Sequence, residues 1–197
     1  MNFRTAAVAV LILVASGHAS RAHDFIAGVG AWNGFLHPLL VPAHALSVFA
    51  LGLMTGQQDR TSRVILAGLF AAAMIAGIFM IMGTAFPLDI MPEILLGGGA
   101  AAGLLTALAK PLPRFVPALL LAAGGLALIF DSVPSVISKR DTILSLVATV
   151  AAAALLLGLV ATAAAMLTRG WQRIGVRILG SWSAASALLV LALRFVR

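Results

Sequence analysis

A chain of 197 residues that is 62% hydrophobic and 10% charged, with mean hydropathy +1.11, has too little polar surface to enclose a water-soluble core. The absence of cysteine excludes disulfides, thiolate metal sites and cysteine nucleophiles. A net charge of +7 is spread between apolar runs, with no single patch of basic and aromatic residues, which argues against nucleic acid as a partner.

Residues 1–22 read as a secretory signal. Arg4 supplies the positive start, Ala6 to Ala15 the short apolar core, and Ser20 and Ala22 the small residues before a cleavable bond. Cleavage after Ala22 makes His23 the first residue, and cleavage after Ala19 is an alternative; left uncut, the segment would be an additional first helix. Residues 23–197 then form one transmembrane domain.

Six apolar segments follow, each near the length of about 20 residues that a bilayer core requires. They fall at roughly Ala27–Met54, Val64–Met82, Ile94–Ala109, Phe115–Phe130, Ile143–Leu167 and Ile174–Val196. The fold class expected is therefore an all-α integral membrane protein with about six transmembrane helices, the first broken by proline. The third and fourth segments are short, so tilt or local thinning is expected there. Pro87, Pro92, Pro111, Pro113 and Pro134 sit at the polar breaks, where they end helices at little cost. No loop is long enough to house a soluble domain. Gly68, Ala72 and Ala76, like Gly99 and Gly103, recur at four-residue spacing and are expected to let helices approach closely. The run Gly97, Gly98, Gly99 is open to a second reading, an unwound segment.

Basic residues set the expected orientation. Arg60, Arg63, Lys110, Arg114, Arg169, Arg173 and Arg177 fall on one set of ends, and Lys139, Arg140, Arg194 and Arg197 on the other. The richer set is expected to be cytoplasmic, which puts the mature N-terminus, the acidic turn around Asp89 and Glu93, and the C-terminus on the exported side. A secretory signal requires the same orientation.

The strongest chemical signal is the stretch GFLHPLLVPAH, residues 34–44, which sets His37 and His44 beside Pro38 and Pro42 inside an apolar run. Ionisable groups are costly in hydrocarbon, so such a pair marks a functional site. In a regular helix the two imidazoles would share a face but lie roughly 10 Å apart along the axis, too far for one metal ion. Either Pro42 breaks the helix and folds the rings together, or they are successive stations on a path. The alternative is two interfacial histidines capping a broken helix. His23, with Asp24 beside it, offers an imidazole and a free amine to a divalent metal if it is the mature terminus, though a mobile segment could place them there by chance. Asn33 could accept or donate a hydrogen bond to either imidazole, and Asp131 with Ser132 is a pore-lining or supporting candidate, or simply a helix-ending turn. Trp32, Trp171 and Trp182 read as interfacial anchors.

Enzymatic readings find no support. GSWS at Gly180–Ser183 lacks the second glycine of an intramembrane serine protease, and no phosphate-cradling glycine motif is present.

With its flanking glycine-containing segment and the following LSVFALGL, the GFLHPLLVPAH stretch resembles the HupE/UreJ family of hydrogenase and urease accessory membrane proteins. The likeness extends in layout over most of the chain, including the basic start of the last helix, RIGVRILGSW. The family motif runs His-Pro, then a glycine, then an Asp-His pair within eight residues; here His37, Pro38 and His44 match, while Val41 and Ala43 stand for the glycine and the acid. A histidine-rich stretch on a later helix has no counterpart, and LALIFDSVPS occupies its place. The resemblance implies a bacterial inner-membrane permease with no enzymatic activity. Its cargo would be a divalent ion, nickel or in some members cobalt, carried as substrate and not as a resident cofactor. Metalloenzyme maturation proteins are the partners it implies besides the bilayer and the ion. The second function it implies is a non-transporting accessory protein that holds a urease or hydrogenase partner.

Overall fold

The computed structural model describes residues 30–83, 90–134 and 138–195, and every regular element among them is an α-helix. In chain order these are α1 (Gly30–Leu40), α2 (Pro42–Gly56), α3 (Arg60–Gly83), α4 (Met91–Leu108), α5 (Phe115–Asp131), α6 (Lys139–Met166) and α7 (Gly170–Phe195). Each apolar segment expected from sequence has become a helix or, for the first, a bent pair. The proposed signal and His23 and Asp24 lie outside the described residues.

By length and composition α3, α4, α6 and α7 can each cross a bilayer, and α1 with α2 makes a fifth span bent by 68°. Helix α5 is apolar but has only 17 residues, about 26 Å of rise against a core of about 30 Å. Among the described residues there are thus up to five full-length spans and one short apolar helix, against the expectation of about six.

Helix α2 is the hub, packing against each of the other six helices. From Ser47 to Gly56 nearly every residue is buried, including Val48, Leu51 and Met54. A helix apolar on all sides has no solvent face to offer and belongs in the middle of a bundle. Its neighbours reach it over small residues. A side chain on Gly99 would strike Ser47, and one on Gly52 or Gly56 would strike α6 at Val160 or Ala161. Gly103 and Gly180 face each other between α4 and α7, each close to the other's carbonyl oxygen. With little hydrophobic drive between helices in lipid, such backbone approach supplies the van der Waals contact that holds the bundle.

Two small-residue expectations need correcting. Gly68 meets nothing within 4 Å, and Ala72 and Ala76 are exposed with it, so this stripe faces outward from α3 and makes no contact within the chain. Gly97 and Gly98 also meet nothing, and α4 runs through all three glycines without unwinding. The i→i−4 ladder wins there because open space on one face imposes no reason to break it.

The turns 57–59, 109–114 and 167–169 gather at one end of the bundle, around a shared cavity. The opposite end holds the start of α2, the end of α5 and an ion pair in which Arg194 Nε donates to Glu93 Oε1 at 2.9 Å. The seven basic residues assigned to a common side from sequence therefore all belong to the helix ends and turns that meet around this cavity.

Candidate metal centre

The site begins with two prolines. Pro42 has no N–H to donate to the carbonyl four residues back, and its ring pushes the preceding residue out of the helical region. Val41 accordingly adopts φ −85° and ψ 111°, an extended conformation, and the axis turns by 68° there. Pro38, inside α1, leaves the carbonyl of Gly34 without its intrahelical donor. Thr149 Oγ1 from α6 supplies the replacement, its single hydroxyl proton shared between Gly34 O and the Ser145 O of its own helix, each at 3.0 Å. Gly34 is itself in contact with α6, since a side chain there would overlap the carbonyl of Ser145. Gly30 and Gly34 thus seat α1 on Asp141 and Ser145, one helical turn apart on both helices.

This bend resolves the choice left open by sequence. The rings of His37 and His44 have centroids 4.8 Å apart with planes at 70°, so the break at Val41 folds them together. His44 is fully buried in the first turn of α2. Its Nε2 lies 2.7 Å from Asp131 Oδ2, a residue 87 positions away at the last turn of α5. With Nε2–H donating to the carboxylate, a neutral His44 carries its lone pair on Nδ1, a buried atom with no hydrogen-bond partner among the described residues. Nε2 of His37 is buried as well.

The electrostatics of Asp131 add to this. A carboxylate at a helix C-terminus faces the negative end of the backbone dipole, where a cation is preferred. Its side chain is only 17% exposed, so water screens that repulsion poorly. A positive charge beside His44 would balance both. Carboxylate–imidazole pairing is also how metal-binding histidines are commonly held, the acid fixing tautomer and ring orientation.

Of the sequence-derived candidates, His37, His44 and Asp131 are brought together. Asn33 sits on α1 one turn before His37, half-buried. His23 and Asp24 fall outside the described residues. No group of three metal-binding side chains occurs among the described residues; what the fold assembles is two neighbouring imidazoles with a carboxylate hydrogen-bonded to one of them. Sequence reasoning missed Thr149, whose signal was indirect: Pro38 orphans a carbonyl that some donor must reach. It also missed Ser47, on the same face as His44 and bonded to Leu95 O at 3.0 Å.

Thirteen residues separate His44 from Gln57 at the cavity end, about 20 Å of helix. Fold and site together define a multi-pass helical membrane protein with a histidine–carboxylate cluster in which His44 is fully buried and His37 and Asp131 are half-buried. The chain belongs to the HupE/UreJ family, whose model, described as HupE / UreJ protein, matches residues 7–190. That family is one of membrane proteins associated with nickel or cobalt transport and with accessory roles for urease and hydrogenase. No curated protein and no solved structure matches the chain.

Proposed function

We propose that this protein is an inner-membrane permease that admits a divalent transition metal, nickel first and cobalt next, to cells that build urease- or hydrogenase-type enzymes. The observation that carries the reading is the pairing of His44 with Asp131 beside His37. Imidazole is a borderline donor suited to nickel, cobalt, copper and zinc, so the ligand type favours this class of ion over magnesium or calcium. Two inner donors are fewer than a resident site uses. That deficit suits cargo, because an ion must bind strongly enough to lose water and weakly enough to leave. In the proposed orientation a signal ending at Ala22 is removed, His37 and His44 open toward the exported side, and the arginine-rich turns face the cytoplasm. Both termini of the mature chain are then outside.

Accumulation of radioactive nickel in cells expressing wild type, His37→Ala, His44→Ala or Asp131→Asn is the test. Uptake should drop in all three variants at equal protein level. Unchanged uptake in both histidine variants would remove them from the mechanism.

A second reading, a non-transporting accessory protein that holds a metalloenzyme maturation partner, draws on the same shortage of ligands. It predicts a co-purifying maturation protein and no metal flux into liposomes that contain the purified chain.

A further inference from the structure

The end of the bundle opposite the histidines carries a cavity of about 490 Å³. Four basic side chains line it, from different parts of the chain: Arg63 of α3, Lys110 of the 109–114 turn, and Arg173 and Arg177 of α7. Asp59 is the single carboxylate in its wall. Three helix C-termini and three N-termini meet at this end, so their dipoles largely cancel and the side chains decide the sign. The cavity is therefore positive. A divalent cation released from the histidine site would be repelled from it.

Two features go beyond what positive topology alone would produce. Basic residues that merely anchor a bundle at an interface fan outward into water and headgroups. These four instead surround one concavity, while Arg60, Arg114 and Arg169 from the same end do not line it. Arg63 is half-buried, and its Nε is a buried donor with no hydrogen-bond partner among the described residues. An unpaired buried N–H is costly, and on a charged group more so.

The walls are braced as well. Arg177 Nε donates to Ala107 O at 2.8 Å, and Gln57 Nε2 donates to Thr106 O at 3.0 Å, tying α7 and α2 to the end of α4. Ala109, on the rim, has φ 48°, a left-handed conformation that a residue with a Cβ adopts only at a cost. That turn brings the chain round to set Lys110 at the cavity.

We infer that this cavity binds a phosphate group, the tetrahedral oxyanion to which clustered guanidinium and ammonium groups are best matched. Guanidinium donors pair with two phosphate oxygens at once, and a lysine adds a point charge. The volume exceeds one phosphate and leaves room for the glycerol of a lipid headgroup, and the cavity lies at a bundle end where headgroups reside. A free phosphate compound presents the same chemistry.

The test uses the purified full-length chain in a neutral detergent, titrated with short-chain phosphatidylglycerol, short-chain phosphatidylcholine or inorganic phosphate while thermal unfolding is followed. Phosphatidylglycerol should raise the unfolding temperature saturably, and phosphatidylcholine should not. If inorganic phosphate reproduces the effect at comparable concentration, the site takes a soluble oxyanion. If only the lipid acts, it takes a headgroup; both results support the inference. Lys110→Glu with Arg173→Glu, two exposed positions, should raise the half-saturating concentration at least about tenfold. The matched pair Lys139→Glu with Arg140→Glu at the far end should leave it unchanged. Arg63→Lys keeps the charge without the Nε donor and should weaken binding about threefold or more, which gives a readout if the double reversal does not fold. Equal losses from both double variants, or no saturable effect of any phosphate source, would overturn the inference.

Discussion

At the scale of single residues, the pair that matters is His44 and Asp131, and its two members answer to different tests. Asp131→Asn keeps the shape and a hydrogen bond but loses the anion, exchanging a charge-assisted bond worth about 1.5–3 kcal/mol for a neutral one worth about 0.5–1.5 kcal/mol. Nickel affinity of the purified protein, measured by calorimetry, should fall at least about tenfold while the helical circular dichroism is retained. An unchanged affinity would mean that the carboxylate only holds α5 against α2. Protons compete with metal for imidazole, so uptake should also decline on acidification. A different acid titration belongs to Asp59, the residue just before α3. Its carboxyl titrates below the usual carboxylate range, chiefly because the hydroxyl of Ser62 donates to it, with the Ser62 backbone N–H second. A lowered folded value means the stabilisation is present above the unfolded value and lost as pH falls through the folded one. Thermal unfolding of wild type should therefore show a loss below about pH 4 that Asp59→Asn lacks. Of these residues, only the histidines were prominent in the sequence. Asp131 stood out as one acid at a helix end, and nothing local announced its partner 87 positions away.

At the scale of helices, apolar length was sufficient to place nearly every element, because a bilayer accepts little except a hydrogen-bonded helix of adequate reach. The bend was legible as one of two options, since proline at 42 dictates what Val41 must do but not where α1 goes afterward. Its direction is decided by α6, through Gly30, Gly34 and Thr149, and helix-to-helix register of this kind leaves no periodic trace in sequence. Gly68 shows the converse failure, where the spacing was right and the partner absent. Thr149→Val tests the seating of α1. It leaves the Gly34 carbonyl unpaired, at a cost of about 1–3 kcal/mol. Its predicted mark is faster hydrogen exchange in α1 with the rest of the bundle unchanged. Pro42→Ala tests the bend itself, restoring an N–H so that a straight helix becomes available. Because the chain has no cysteine, spin labels at Trp32→Cys and Gln57→Cys report the distance directly. It should lengthen toward the roughly 38 Å of an unbroken helix of that length. If it does not, packing on α6 holds the bend without help from proline.

At the scale of the whole molecule, the histidine site and the basic cavity lie at opposite ends of α2, and what separates them bears on whether anything can cross. His44, Ser47, Leu51 and Thr55 succeed one another at steps of three and four along one face of α2. Three carry polar groups and are buried; Leu51 is also fully buried, and its Cδ1 lies where any side chain on Gly124 would have to go. The polar face is therefore interrupted by a close-packed leucine about halfway between the two ends, and on the proposed permease reading an ion passing along it from His44 would need that packing to part. Leu51→Ala is the informative change. Truncating a buried leucine costs about 2–5 kcal/mol, so the variant must first be shown to retain its helical signal and its nickel affinity. Given that, a cavity opens in the seal while the two imidazoles and Asp131 stay in place. Liposomes loaded with a metal-sensitive dye should then report faster nickel entry through Leu51→Ala than through wild type, with half-saturation unchanged. Entry at the wild-type rate, from a variant that still binds nickel, would locate the barrier elsewhere in the bundle. No entry through either protein would instead favour the accessory reading, in which the paired histidines hold metal without passing it on.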